Sequence, residues 1–211
     1  MNLFIEYSLV GLATGGMYAL MALGFVLVFK GTGVFNFAQG ELMMLGAYVF
    51  LAATQILGWH WAAGLACAAV FSFTAGALIE RVVLRPLSGQ PTLSIVMATV
   101  GLGLILKGLA GLIFGPDQRN LPELLPRKPV FIGEILIPGG IFWTFLISIA
   151  IVLACLAYFR FTRGGVAMRA AASSQTNAYA VGINVPAISA FTWGLAAVSY
   201  THLTLPTKRI V

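Results

Sequence analysis

Polar side chains interrupt an otherwise apolar run near the start of the chain. Asn36, Gln39 and Glu41 lie within GTGVFNFAQGELMMLGAY, which occupies residues 31–48. Their amide and carboxylate groups can exchange hydrogen bonds with a polar solute, but they are not a set that activates a nucleophile or holds a metal ion. The chemistry indicated here is contact with a solute and not its chemical conversion.

Two structures of this run are open. In the first, residues 30–41 form an aqueous turn, in which Gly31 and Gly33 end one helix and Glu41 begins the next. In the second, residues 34–50 form a membrane span that is broken at Gly40 and whose freed backbone groups face a cavity. Broken spans of that kind line transport paths. Composition and spacing do not decide between the two.

Lys107 is a second unusual residue, because it lies well inside an apolar segment. A buried ammonium there costs about 2.5–3.5 kcal/mol on insertion scales. Its stem can snorkel to an interface roughly 10 Å away, given a ~1.5 Å rise for each residue up to Phe114. The alternative is a role along the path, where the ammonium pairs with a substrate carboxylate or with an acid on another helix.

Groups suited to catalysis are scarce. The chain has two histidines and six carboxylates, and they form no zinc-binding, nucleophile-elbow or ATP-binding motif. We therefore predict no catalytic residue, no metal site and no cofactor bound by this chain. Cys67 and Cys155 fall inside apolar segments, where cysteine behaves as a small hydrophobe.

Composition indicates that all these residues belong to a membrane protein. Hydrophobic residues make up 60% of the chain and charged residues only 9%. At roughly 20 residues for each crossing of a hydrocarbon core, the chain has room for about six spans and no separate soluble domain. The predicted fold is an all-α, polytopic transmembrane bundle. The predicted spans are 8–29, 42–57, 61–79, 93–114, 141–159 and 187–199.

Loop charges predict how the bundle is oriented. The net charge of +6 comes from basic residues beside helix ends and not from one patch, so no nucleic-acid partner is indicated. One face carries Lys30, Arg81, Arg85, Arg160, Arg163 and Arg169. By the positive-inside rule this face is cytoplasmic and the N-terminus is extracytoplasmic. The proline-rich connection 115–140 then lies outside, where it could meet a partner.

The opening segment also carries a specific pattern. The run from Gly11 to Gly24 reads G-x-x-x-G-x-x-Y-A-L-x-A-L-G, and residues 36–41 read NFAQGE. Both resemble the permease subunits of bacterial branched-chain amino acid ABC importers, which are binding-protein-dependent components of the inner membrane. Gln39 stands where histidine is common in that family. Because an amide cannot titrate near neutral pH, a proton-linked role at this position is not expected.

Two later segments extend the resemblance. The first, Glu80 to Leu87, matches the family's E-R-x-x-x-R-P-L element, and the second, 160–186, resembles its cytoplasmic coupling loop, a short helix that seats in a groove of the ATPase subunit. The positions that the resemblance assigns to this loop are Gly165, Met168, Arg169, Ala170, Ala172, Ala178, Gly182, Ile183 and Val185. Alanine richness and a glycine stop at Gly182 suit a small interfacial helix, although an ordinary amphipathic connector has the same composition. Ser173 and Ser174 stand where the family often has an acidic pair.

The resemblance ends near Ala197. Residues 198–211, VSYTHLTLPTKRIV, depart from the small apolar residues that would continue the pattern. We expect these residues either to interrupt the sixth span or to leave a basic tail outside, because they include His202, Pro206, Lys208 and Arg209. We interpret 198–211 as a foreign tail on a truncated chain. On this view residues 1–197 are an incomplete permease domain.

The resemblance implies a permease subunit that translocates branched-chain amino acids across the bacterial inner membrane. Its implied partners are two cytoplasmic ATPase subunits that use ATP, a second identical or homologous permease subunit, and an extracytoplasmic substrate-binding protein. The residues expected along the translocation path are Asn36, Gln39, Gly40, Glu41 and Lys107. The alternatives are a permease of the same fold for urea, short-chain amides or another small polar solute, and a stand-alone channel or secondary carrier.

Overall fold

The fold is given by a computed structural model, which describes residues 2–115, 130–132, 135–137 and 139–204. Its α-helices are α1 (Asn2–Thr32), α2 (Gln39–Leu51), α3 (Trp61–Ile79), α4 (Thr92–Phe114), α5 (Gly139–Phe161), α6 (Arg163–Ser173), α7 (Gln175–Ala180) and α8 (Val185–Thr204). Single π-helical turns prolong α2 over Ala52–Ile56 and α3 over Glu80–Leu84, and a 3-10 turn, Arg85–Leu87, follows the second of them. The short strands β1 (Val130–Ile132) and β2 (Ile135–Ile137) pair antiparallel.

The predicted all-α bundle is confirmed, and each predicted span falls on a helix. Within the described residues, four stretches are long and apolar enough to cross a membrane unaided: Val10–Thr32, Trp61–Leu87, Thr92–Phe114 and Phe142–Phe161. Helix α8 contributes a shorter apolar stretch, Val185–Ser199. Helix α2 is also short, because it begins inside the bundle.

Parts of the predicted boundaries need correction or lie beyond the described residues. The interruption expected at His202 is absent, since the backbone of α8 stays helical to Thr204. Most of the connection 115–140 lies outside the described residues, and so do residues 205–211 of the interpreted tail. The β1–β2 hairpin is the described part of that connection, and its strands were not predicted.

Helix α8 occupies the centre of the described bundle. It packs against α1, α2 and α3, and its Trp193 is 1% exposed. The indole belongs to a buried cluster that joins residues from separate elements, namely Val28, Leu42, Leu84, Ile95 and Ala196. A displacement of α8 would therefore disturb packing throughout the bundle.

Glycines permit the closest contact in the bundle, between α3 and α8. A Cβ atom added at Gly76 would lie 2.6 Å from the main-chain oxygen of Trp193, and one at Gly194 would lie 2.7 Å from the ring of Phe73. Each helix thus places a glycine where the other approaches most closely. In a membrane such packing replaces the hydrophobic driving force, because lipid is as apolar as the helix surface.

We expect Gly76→Ala to destabilise the bundle by about 1–3 kcal/mol, because its methyl group must push the α8 backbone away. Gly108→Ala on α4 is the matched control, since a Cβ there meets no atom within 4 Å. The measurement is the thermal midpoint of the detergent-solubilised chain, followed by size-exclusion chromatography with a fluorescent fusion. Equal midpoints for the two variants would contradict this account of the α3–α8 contact.

Candidate functional site

The polar run after α1 forms a non-helical segment, Gly33–Ala38, which we call the break. Helix α1 ends where Gly33 adopts a positive φ of 73°, a conformation that glycine enters without steric cost. The chain then reverses and runs back along α1. The rings of Phe29 and Phe35 stack with centroids 4.4 Å apart, and Phe37 meets Phe25 edge-on at 6.4 Å.

The break reaches the middle of the bundle. The side-chain amide of Gln39 donates to the main-chain oxygen of Met21 at 3.0 Å. Met21 precedes Thr32 by about 16 Å along α1, at ~1.5 Å per residue. Because Met21 lies midway along the apolar stretch Val10–Thr32, α2 begins about halfway across the bundle.

This geometry favours the broken span over the aqueous turn, with a correction to both interpretations. The interruption spans residues 33–38, and Gly40 lies within α2 and not at the break. Of the glycines expected to end the first helix, Gly33 does so, while Gly31 is still helical. Glu41 occupies the first turn of α2, as the turn interpretation expected, and a carboxylate is favourable at a helix N-terminus.

Side chains satisfy backbone groups that the break frees. Asn36 is 1% exposed, and its Oδ1 accepts a hydrogen bond from the Ala38 amide at 2.9 Å. The Phe37 amide donates to Oγ1 of the fully buried Thr99 on α4 at 3.3 Å. Thr99 was missed by the sequence analysis, because a lone threonine in an apolar helix carries no distinguishing signal.

Unpaired polar atoms remain at the same place. The Nδ2 of Asn36 and the Oε1 of Gln39 are buried and have no hydrogen-bond partner among the described residues. The partly buried carboxylate of Glu41 lies against α4, since a Cβ added at Gly103 would be 3.2 Å from its Oε2. The lack of a side chain at Gly103 therefore lets Glu41 approach α4.

Lys107 is not part of this group. It is exposed on α4, and it forms no ion pair with any residue that the structure describes. The three polar residues at positions 36–41, Asn36, Gln39 and Glu41, thus lie together, and the lysine expected to accompany them is apart.

The expected single coupling helix is two helices, because Ser174 divides it. Ser174 has extended backbone angles, and its hydroxyl accepts from the Asn177 amide at 3.2 Å, which caps the start of α7. Thr162 caps α6 in the same way through the Gly165 amide at 3.0 Å. Ser174 stands at a position that is often acidic in the family, and here it caps α7. Serine and aspartate are both good N-cap residues.

The glycine stop at Gly182 is present. Gly182 has a φ of 82°, its amide donates to Tyr179, and the Ile183 amide donates to Ala178. These two bonds form a Schellman motif, which closes α7 and turns the chain towards α8. The amide of Ala187 then donates to Oδ1 of Asn184, which starts α8.

The residues assigned to the coupling segment, residues 160–186, divide by burial. Gly165, Met168, Ala178 and Val185 are buried, Ala170 and Ile183 are half-buried, and Arg169, Ala172 and Gly182 are exposed. The buried positions attach the segment to the bundle. At Gly165, an added Cβ would lie 2.5 Å from the main-chain oxygen of Tyr158. The Arg169 guanidinium donates to the main-chain oxygen of Phe159 at the end of α5. Its hydrogen bond is therefore internal to the chain.

An ion pair at the end of α3 joins the coupling segment to the bundle. Glu80 is 4% exposed, and its Oε2 accepts from Nη2 of Arg85 at 2.8 Å. The same nitrogen donates to the main-chain oxygen of Pro186, in the first turn of α8, at 3.1 Å. Both residues belong to the E-R-x-x-x-R-P-L element, and their pairing with each other was not predicted.

Comparisons with known proteins agree with these features. The family profile described as "Branched-chain amino acid transport system / permease component" matches residues 7–199. The chain is 30% identical over 208 residues to the high-affinity branched-chain amino acid transport system permease protein LivH of Escherichia coli K12, covering 92% of this chain and 67% of that one. It is 28% identical over 207 residues to the corresponding permease protein BraD of Pseudomonas aeruginosa, with the same coverage.

A further relative matches over a shorter stretch of its own length. The probable branched-chain amino acid transport permease protein LivH of Methanocaldococcus jannaschii is 29% identical over 187 residues, covering 85% of this chain and 58% of that one. No solved structure matches the chain significantly. The profile match includes both the break and the coupling segment, so the two features lie inside the shared region.

We expect Arg85→Met to lower stability by about 1–3 kcal/mol, because the buried carboxylate of Glu80 loses its partner. Arg81→Met is the matched control, since Arg81 is exposed. The double variant Glu80→Gln with Arg85→Met should regain part of the loss, because it removes the uncompensated charge. The measurement is the thermal midpoint of the unaltered chain, of Arg85→Met, of Arg81→Met and of the double variant. A double variant less stable than Arg85→Met would show that the ion pair is not the cause.

Proposed function

Because this chain belongs to the family of permease components of branched-chain amino acid transport systems, we propose that it translocates branched-chain amino acids across the bacterial inner membrane as one subunit of an ATP-driven importer. The observation that carries the proposal is the profile match over residues 7–199. Relatives from Escherichia coli and Pseudomonas aeruginosa bear names with this substrate class.

In the proposed assembly, other subunits supply ATP hydrolysis, the rest of the path and the delivery of the amino acid. Two ATPase subunits bind and hydrolyse ATP at the basic face, a second identical or homologous permease completes the path, and a binding protein delivers the amino acid outside. The basic face, with Arg81, Arg85, Arg160, Arg163 and Arg169, is cytoplasmic by the positive-inside rule. The N-terminus of α1 is then extracytoplasmic.

The break is the proposed border of the path. The first-turn amides of α2 have no intrahelical acceptor and carry partial positive charge, while Glu41 in the same turn carries negative charge. These groups complement the carboxylate and the ammonium of an amino acid. Asn36 and Gln39 add unpaired polar atoms at the same depth, and Gly40 leaves the backbone open because a Cβ there would meet nothing within 4 Å.

The coupling segment is the proposed link to ATP hydrolysis. Arg169 bonds it to the end of α5 and Arg85 bonds its other end to α3, so a push on α6 and α7 reaches α5, α3 and α8. Because α8 packs against α1, α2 and α3, its displacement can change the opening of the bundle. Exposed Ala172 and Arg169 lie on the surface available to an ATPase subunit.

Uptake by the reconstituted importer tests the proposed function. Proteoliposomes that hold this chain with its second permease and ATPase subunits, and receive the binding protein outside, should accumulate radiolabelled L-leucine only with ATP inside. A Walker-lysine variant of the ATPase is the control for ATP dependence. Uptake that needs neither ATP nor the ATPase would identify a channel or carrier, and uptake of urea but not leucine would identify a permease for another solute.

Gly182→Val should uncouple transport from ATP hydrolysis, because a β-branched residue at φ 82° is strained by about 1–3 kcal/mol and distorts the end of α7. Gly182→Asn is the matched control, since asparagine tolerates a left-handed cap. We expect normal ATPase activity with strongly reduced leucine uptake for the valine variant, and near-normal uptake for the asparagine variant. Unchanged uptake with valine would count against the coupling role.

A further inference from the structure

A cavity lies at the end of the bundle that carries the basic face, which we call the basic end, and it borders the break at Val34. Its volume is about 430 Å³, and it lies between the end of α1 at Thr32, the turn at Arg85, helix α7 at Tyr179 and the start of α8 at Pro186. Pockets of about 300–1,000 Å³ are typical of small-molecule sites. The coupling segment forms one wall and the bundle forms the others.

Part of the cavity lining is aliphatic. Val34 enters the cavity from the break, Leu84 from the π-helical turn after α3, Ile95 from α4 and Val185 from α8. These residues come from separate elements, and Leu84, Ile95 and Val185 are themselves buried. A surface of this kind, with no polar atom in its side chains, suits the burial of a short branched hydrocarbon chain.

Another part of the lining is polar and includes a partly exposed positive charge. Ser88, Gln175, Tyr179 and Ser189 contribute hydroxyl and amide groups. The Glu80–Arg85 pair also lines the cavity, but unequally, because the side chain of Arg85 is 38% exposed and that of Glu80 only 5%. The cation is therefore the accessible member of the pair, and a guanidinium binds carboxylates through several parallel donors.

We propose that this cavity is a binding site at the basic end for the transported amino acid, with the carboxylate at Arg85 and the branched side chain against Val34, Leu84, Ile95 and Val185. The inference rests on the proposed function for the identity of the ligand. The cavity would then be a second binding position, in addition to the path that is proposed at the break. An occupant would contact α7, α8 and the first residues of the break together.

Binding by the purified full chain in lipid nanodiscs tests the site without requiring transport. The probe is radiolabelled L-leucine, measured by scintillation proximity. Ser189→Phe fills the cavity and should weaken binding by about tenfold or more. Ala187→Phe adds the same ring to an exposed position of α8 outside the cavity and should bind as the unaltered chain does. Equal affinity of the two variants would overturn the proposal.

Competition with labelled leucine distinguishes the contribution of the carboxylate from that of the branched side chain. 4-Methylpentanoate keeps the carboxylate and the branched chain and should displace leucine, whereas isoamylamine, which lacks the carboxylate, should not. Displacement by the amine as strong as by the acid would overturn the role of Arg85. If leucine uptake fails while binding is lost only in Ser189→Phe, the proposed function falls and the site stands.

Cysteine protection gives a readout that does not depend on filling the cavity. Ser189→Cys is introduced in a chain whose Cys67 and Cys155 are replaced by alanine, and labelling by a small maleimide is followed with and without L-leucine. We expect leucine to slow labelling at residue 189 but not at an exposed control, Ala172→Cys. Labelling at 189 that leucine leaves unchanged would place the bound amino acid elsewhere.

Discussion

The need to satisfy every backbone polar group inside a membrane governs this structure. No water is available in the hydrocarbon region, so a helix can be interrupted there only where other groups replace its lost hydrogen bonds. At the break, Asn36 accepts a hydrogen bond from the Ala38 amide, and Thr99 accepts one from the Phe37 amide. The side-chain amide of Gln39 donates to the main-chain oxygen of Met21. The rare polar residues of the sequence are placed where this requirement is strongest.

Further polar contacts attach the coupling segment to the bundle at the basic end. Arg85 contacts both the buried Glu80 and the first turn of α8, and Arg169 contacts the end of α5. Close glycine packing joins α3 to α8 along the same bundle. Residues of both the coupling segment and the break line the cavity, so the two features of the proposed mechanism lie next to each other there.

Local patterns were sufficient to predict which residues form the membrane-spanning helices, but not how deep in the bundle each helix begins. Apolar runs located each span, and Gly182 ended α7 as its type suggested. The break was recognised only as one of two alternatives, and its position moved from Gly40 to residues 33–38. Ser174 divided the expected coupling helix, because a serine can either continue a helix or cap the next one, and propensity does not choose between these.

The sequence by itself determined that this is an all-α membrane bundle with polar residues near position 36 and a basic end, because hydropathy and charge act locally and additively. Only the tertiary structure decided that α2 begins at mid-depth, that Thr99 serves the break, and that Glu80 and Arg85 join α3 to α8. These facts depend on contacts between residues far apart in the chain, which arise from how the helices pack together.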